Sequence, residues 1–141
     1  MSQKGVQFLK QVSEYMAKTK GFDKVTNKIK IIGGGDGKCS AQFTVSEEHL
    51  NRGGGLHGGF TATLIDNITT YALMTAESHP GVSVDLYVSY LKAAKEGDEV
   101  IVEAKTIKKG KSLAFLECEL RHKKDGSIIA KGGQTKYVNF S

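Results

Sequence analysis

Aromatic side chains make up only 8% of these 141 residues, and tryptophan is absent. That scarcity weighs against nucleic acid, the first suggestion of a net charge of +5. A single-strand binder needs an aromatic-studded basic surface, and here Glu96, Asp98, Glu99 and Glu103 interrupt the basic run. Long apolar runs are missing too. The best candidate, Phe60 to Ala76, contains Asp66 and Asn67 and falls short of the roughly 20 residues a membrane span needs. The polar first residues lack an apolar run ahead of a small-residue cleavage site, so no secretory signal is expected. Cysteine is limited to Cys39 and Cys118, too few for a disulfide framework. In strand alternation Cys39 falls with Ala41, Phe43 and Val45, and Cys118 with Ala114, Leu116 and Leu120. Both read as small core residues in a reducing compartment, and a cytoplasmic address is expected. Lys4, Lys10, Lys18 and Lys20 against Glu14 alone keep a mitochondrial address open, although such leaders carry arginine and residues 1–20 have none. The histidines His49, His57, His79 and His122 show no paired ligand spacing, so no metal site is expected, nor any cofactor.

What is present fits one domain spanning residues 1–141, with 39% hydrophobic and 25% charged residues. The charge is uneven: from Lys92 onward there are 11 basic and 7 acidic side chains. Lys105, Lys108, Lys109 and Lys111 crowd around Gly110, either as a solvated lysine face or as a site for a small polyphosphate ligand.

Phe8, Leu9, Val12 and Met16 recur at helical spacing, which predicts an amphipathic helix over residues 4–18 that covers something. It belongs to an N-terminal segment, 1–24, ahead of a core at 27–140. A strand begins at Lys28 to Ile32, Gly33-Gly34-Gly35-Asp36-Gly37 is the expected turn, and Cys39 to Val45 returns antiparallel. After a long helix, Pro80-Gly81 aims the chain into Val82 to Tyr90. Alternation there puts Val82, Val84, Leu86, Val88 and Tyr90 on one face and Ser83, Asp85, Tyr87 and Ser89 on the other. Glu99–Ile107, Leu113–His122 and Ser127–Val138 complete the strands. The expected class is α+β, an antiparallel sheet wrapped around one buried helix.

The most informative stretch joins Asn51-Arg52-Gly53-Gly54-Gly55-Leu56-His57-Gly58-Gly59 to the helix beginning at Phe60. Phe60, Leu64, Ile65, Ile68, Tyr71, Ala72, Leu73 and Met74 leave no wide polar stripe, so the helix is expected to be buried. Asp66 in its middle would cost several kcal/mol to desolvate unless hydrogen-bonded or kept for chemistry. Glycines stand where a Ser, Asp or Asn cap is usual, leaving first-turn N–H groups for a ligand. An acid in apolar surroundings and an uncapped helix start suggest acyl transfer.

Those residues, with Gly81-Val82-Ser83-Val84-Asp85, Tyr90 through Lys95 and Gly110-Lys111-Ser112-Leu113-Ala114-Phe115, resemble the hotdog-fold acyl-CoA thioesterases of the thioesterase superfamily, of the PaaI-like type. The family's His-Gly-Gly falls on His57-Gly58-Gly59, its helix acid on Asp66, its loop Asn on Asn51 and its strand Ser on Ser83. The chain departs from the family in the glycine-rich loop from Arg52 to Gly55.

The resemblance implies hydrolysis of fatty acyl-CoA to fatty acid and coenzyme A. The Gly58 N–H would meet the thioester oxyanion at the positive end of the helix. Asn51 would donate its amide to the same carbonyl or to the attacking water, Ser83 would orient that water, and Asp66 would be general base or nucleophile. Asp85, on the same strand face as Ser83, is the rival acid. His57 is expected to brace the helix start, since no Gly-x-Ser-x-Gly elbow supports a hydrolase triad. Lys108, Lys109, Lys111, Ser112 and Tyr90 are the expected contacts to coenzyme A. Gly58 and Asp66 are eight residues apart, about 12 Å along one helix, so both can act on one bond only if one comes from a second copy. A two-fold homodimer is expected, and the resemblance implies pairing into a homotetramer. A hotdog hydroxyacyl dehydratase using His57 with an acid, and a non-catalytic acyl-CoA-binding protein, are the alternatives.

Overall fold

The computed structural model describes residues 5–76 and 79–140. The first helix, α1, runs Val6–Ala17; residue 4, the expected start, lies outside the described residues. A 3₁₀ turn at Phe22–Thr26 leads into β1, Lys30–Gly35, and β2, Lys38–Thr44. A second 3₁₀ turn, Glu47–His49, precedes the long helix α2, Gly58–Met74. Then come β3, Val82–Tyr90, β4, Glu99–Lys109, β5, Leu113–His122, and β6, Ile128–Tyr137. All six strands form one antiparallel sheet in the order β1-β2-β4-β5-β6-β3, which curls around α2 in the hotdog arrangement.

Alternation decides which strand residues meet the helix. Cys39, Ala41 and Phe43 on β2, Val100, Val102 and Ala104 on β4, and Cys118 and Leu120 on β5 are buried with Phe60, Leu64, Ile65 and Ile68 of α2. Both cysteines are therefore core residues, and burial pushes the Cys39 thiol up to about 12. Among the described residues no helix is long and apolar enough to cross a membrane.

The first hairpin differs from expectation. Gly33, Gly34 and Gly35 belong to β1, and the turn shrinks to Asp36-Gly37, with φ values of 53° and 82°. Two consecutive positive φ values suit the right-handed twist of a two-residue hairpin. Gly34 serves packing instead: a Cβ there would lie 2.2 Å from Leu9 Cδ1. Leu9 is wholly buried there, so α1 contributes to the core as well as covering it.

The second difference concerns β3. A bulge between Ser83 and Asp85 shifts its register on β6, pairing Ser83 with Lys136 and Asp85 with Thr135. Lys136 and Thr135 are neighbours on opposite sheet faces, so Ser83 and Asp85 also part company. Ser83 joins Leu86, Val88 and Tyr90 on the helix side, while Asp85 turns outward. β3 is also an edge strand, and Leu86, Tyr87 and Tyr90 are exposed along it.

Candidate active site

The loop before α2 is organised by Asn51. Its Oδ1 accepts from the N–H groups of Gly53 (2.9 Å) and Gly55 (3.1 Å), and its own N–H donates to Gly55 O at 2.7 Å. The carbonyl end of the amide is thus consumed by the glycine loop. The Nδ2 end is left as a donor on an exposed residue.

The helix start is capped after all, by His57. Its Nδ1 accepts from Gly59 N at 2.8 Å, which requires a lone pair on Nδ1 and so the hydrogen on Nε2 in the neutral ring. A Cβ on Gly59 would lie 2.9 Å from the imidazole Cε1, so Gly59 is glycine to admit that ring. Tyr90 holds the other side: its hydroxyl donates to Gly58 O at 2.7 Å and its ring carbon Cζ lies 3.3 Å from where a Gly58 Cβ would be. Among the described residues the Gly58 N–H has no acceptor, and it lies at the positive end of the helix dipole.

Asp66 sits in less apolar surroundings than its sequence neighbours imply. Thr63, Asp66, Asn67, Thr70 and Met74 are only half buried and form a narrow, partly polar stripe along α2. Asn67 Nδ2 donates to Asp23 Oδ1 at 3.0 Å, tying the 3₁₀ turn after α1 to one edge of this stripe. At the other edge, Gln134 Nε2 donates to Asp66 Oδ1 (3.0 Å), Asp66 O (2.9 Å) and Thr69 Oγ1 (2.7 Å). The opposite end of the same amide, Oε1, accepts from Ser83 Oγ at 2.6 Å. One buried glutamine therefore spans from Ser83 on β3 to Asp66 on α2. Lys136, beyond it on β6, donates to Thr70 Oγ1 at 2.7 Å, and burial lowers its pKa while the Asp66 carboxylate raises it. Asp85 takes no part: its carboxylate accepts from Thr135 N at 2.8 Å on the outer face.

Asn51, His57, Gly58 and Tyr90 thus gather at the start of α2, while Asp66 and Ser83 gather at its middle. The basic turn lies apart from the helix start. Leu113 pairs with Tyr137, which pairs with Val82 at the far end of β3 from Tyr90. That end is roughly 25 Å from Tyr90 at the usual rise of a strand. Lys108, Lys109 and Lys111 are exposed there, and Ser112 Oγ accepts from Asn139 Nδ2 at 3.3 Å.

Gln134, Thr69, Thr70 and Lys136 were not picked out from sequence. Strand alternation held a signal for two of them. Ala130, Gly132, Gln134 and Lys136 share one face of β6, so a Gln and a Lys interrupt an otherwise small or apolar set.

A long central helix in a curled antiparallel sheet, with an open N–H at its start and a bonded acid at its middle, defines a class of protein. Residues 53–129 match the thioesterase superfamily, and the chain belongs to that family. It is 43% identical over 133 residues to acyl-coenzyme A thioesterase 13 of Homo sapiens, covering 94% of this chain and 95% of that one. Its fold is similar to that of zebra fish thioesterase superfamily member 2, with a TM-score of 0.93 and 42% identity over 95% of this chain and 98% of that one. A Streptococcus pneumoniae hypothetical thioesterase solved with coenzyme A shares the fold, at TM-score 0.76 and 24% identity over 80% of this chain and 87% of that one.

Proposed function

We propose that this protein hydrolyses fatty acyl-CoA thioesters to a free fatty acid and coenzyme A. The observation that carries this reading is the Ser83–Gln134–Asp66 bridge, which ends on the same helix whose Gly58 N–H has no acceptor among the described residues. The bridge supports a division of roles. Ser83 spends its hydroxyl hydrogen on Gln134, so toward a water it acts as an acceptor. Asp66 has Oδ1 engaged and Oδ2 to receive a proton. A water donating one hydrogen to each would present its lone pair to the thioester carbon. Its oxygen forms the new C–O bond as its proton passes to Asp66. The carbonyl oxygen, now an oxyanion, is met by the Gly58 N–H and the Asn51 amide. Collapse breaks the C–S bond and releases the coenzyme A thiolate, which takes up a proton.

The two halves of that site meet in a two-fold dimer. Gly58 and Asp66 remain about 12 Å apart on one helix. The β3 edge offers a row of backbone donors and acceptors with exposed Leu86, Tyr87 and Tyr90. Antiparallel pairing of two β3 edges would set the two α2 helices in opposite directions, Gly58 of one copy facing Asp66 of the other. The same operation brings the basic turn of one copy toward the helix start of its neighbour, where the phosphates of coenzyme A would meet it. The human relative at 43% identity, named for acyl-CoA thioester hydrolysis, and the coenzyme A complex of the streptococcal relative support this reading. The commitment of His57 Nδ1 to Gly59 weakens the dehydratase alternative, which needs an imidazole free for proton transfer.

A free-thiol assay on acyl-CoAs of graded chain length, with enoyl hydration followed alongside, tests the proposal. Thiol release by the wild type and its loss by at least about 10² in Asp66→Asn is expected. Hydration without thiol release, or full activity of Asp66→Asn, overturns it.

A further inference from the structure

Lys136 is only 4% exposed, a degree of burial that lysine tolerates only when paired. Its ammonium donates to Thr70 Oγ1 at 2.7 Å and makes no direct ion pair among the described residues. The stem packs against the residue just before β3: a Cβ on Gly81 would lie 3.3 Å from Lys136 Cβ and 3.4 Å from its Cε. Its ladder neighbours are Ser83 on β3 and Ala114 on β5, neither of them charged.

The acids nearby in sequence can be sorted by face. Asp85 on β3 and Glu117 on β5 pair with Thr135 and Gly133, which point to the outer side of the sheet. Asp66 of α2 lies on Lys136's own side and raises its pKa, while the other acid that reaches α2, Asp23, is held by Asn67 Nδ2 at 3.0 Å. The connection runs through two hydrogen-bonded side chains. Thr70 Oγ1 accepts from Lys136 and donates to Asp66 O at 2.8 Å, while Gln134 touches both Thr70 Oγ1 (3.3 Å) and Asp66 Oδ1.

A buried ammonium with one hydrogen-bond acceptor among the described residues is destabilising, and an apolar side chain of equal length would fill the same space at less expense. Such a charge is retained where its field acts on another group. We propose that Lys136 is a positioning residue for the catalytic carboxylate: its buried ammonium, fixed on Thr70 beside the Gln134 amide, keeps Asp66 Oδ1 on that amide and Oδ2 turned toward the reacting bond. The inference rests on the hydrolase reading above for its consequence in turnover, but not for the coupling itself.

The test uses the full-length protein carrying Lys136→Met or Lys136→Arg. Lys136→Met should lower turnover about tenfold or more with little change in the Michaelis constant, since the residue is not among the coenzyme A contacts proposed above. Lys136→Arg, which keeps the charge, should restore most of the turnover. Equal losses in Lys136→Met and Lys136→Arg indicate a packing role and overturn the proposal, as does unchanged turnover. An independent readout is the carbon NMR signal of the Asp66 carboxyl near neutral pH, assigned by its disappearance in Asp66→Asn. That signal should move in Lys136→Met and return in Lys136→Arg even if no acyl-CoA is a substrate, so failure of the hydrolase reading and failure of this one are told apart; an unmoved signal overturns the coupling. If Lys136→Met does not fold, the titration of the Lys136 amine can be followed in Asp66→Asn. Removing the carboxylate should move it to lower pH, and an unmoved titration overturns the coupling.

Discussion

Ser83 Oγ donates to Gln134 Oε1 at 2.6 Å, although the two residues lie 51 positions apart and on different strands. The contact exists because the β3 bulge turns Ser83 inward, and it makes the hydroxyl an acceptor toward anything in the site. Gln134 then passes the constraint to Asp66 through its Nε2. The two groups proposed to handle water are thus oriented by one amide.

Gln134→Leu should remove that constraint with little change in volume. The Ser83 hydroxyl and Asp66 Oδ1 each lose a partner, and the fold should be destabilised by about 1–3 kcal/mol. Turnover should fall well beyond what this predicts for the folded fraction, with the Michaelis constant nearly unchanged. Denaturant titration and steady-state kinetics check it; wild-type turnover in a stably folded variant would contradict the bridge.

Asn51→Ala and Asp66→Ala should each be nearly inactive as pure proteins. When equal amounts are unfolded and refolded together, half the dimers are mixed. If a site takes Asn51 from one copy and Asp66 from the other, a mixed dimer has one intact site of two. Activity should return to roughly a quarter of wild type. Mixed dimers verified by mass that stay inactive would place both residues of a site in one copy.

Lys109→Glu with Lys111→Glu should raise the Michaelis constant for acyl-CoA and leave turnover largely alone, the pattern of lost uniform binding. Acyl thioesters lacking the nucleotide portion should be unaffected by the same changes. Equal wild-type kinetics with and without the nucleotide would remove the basic turn from the binding site.

His49 gives the protein an acid-sensitive point beneath the helix start. It is 1% exposed, stacks on Phe60 with centroids 4.5 Å apart, and accepts from Ser46 N at Nδ1. Desolvation by burial lowers its pKa below the usual 6.5. The unfolded chain therefore takes up a proton at higher pH than the folded one. The stability contributed by neutral His49 is whole above about pH 6.5 and declines as pH falls toward the folded-state value. His49→Gln should lower stability near neutrality and flatten the decline below pH 6.5, measured as melting temperature against pH. An equally steep decline in the variant would assign it to other groups.

Much of the fold was legible because the patterns that encode it are local. The three- and four-residue spacing of Phe60, Leu64, Ile65 and Ile68 marks α2, and two-residue alternation marks β2, β4 and β5. The site was legible in part. Asn51, His57 and Gly58 do meet at one helix end, and His57 does brace it. The apolar environment that sequence implies for Asp66 does not hold for a reason of range: its sequence neighbours are apolar, but its hydrogen-bond partner comes from β6, 68 positions away.

Sequence by itself determined the order of elements and the burial of both cysteines, since each follows from the side chains of a single segment. Tertiary structure decided three things. An extra residue in β3 sends Ser83 and Asp85 to opposite faces, because a one-residue register shift inverts every side chain beyond it. Packing of Leu9 makes a strand of glycines that would otherwise form a turn. And the closing of β3 on β6 brings Gln134 and Lys136 beneath the middle of α2. That closure joins residues too distant in the chain for any local pattern to announce, and it converts an acid on a buried helix into a polar site.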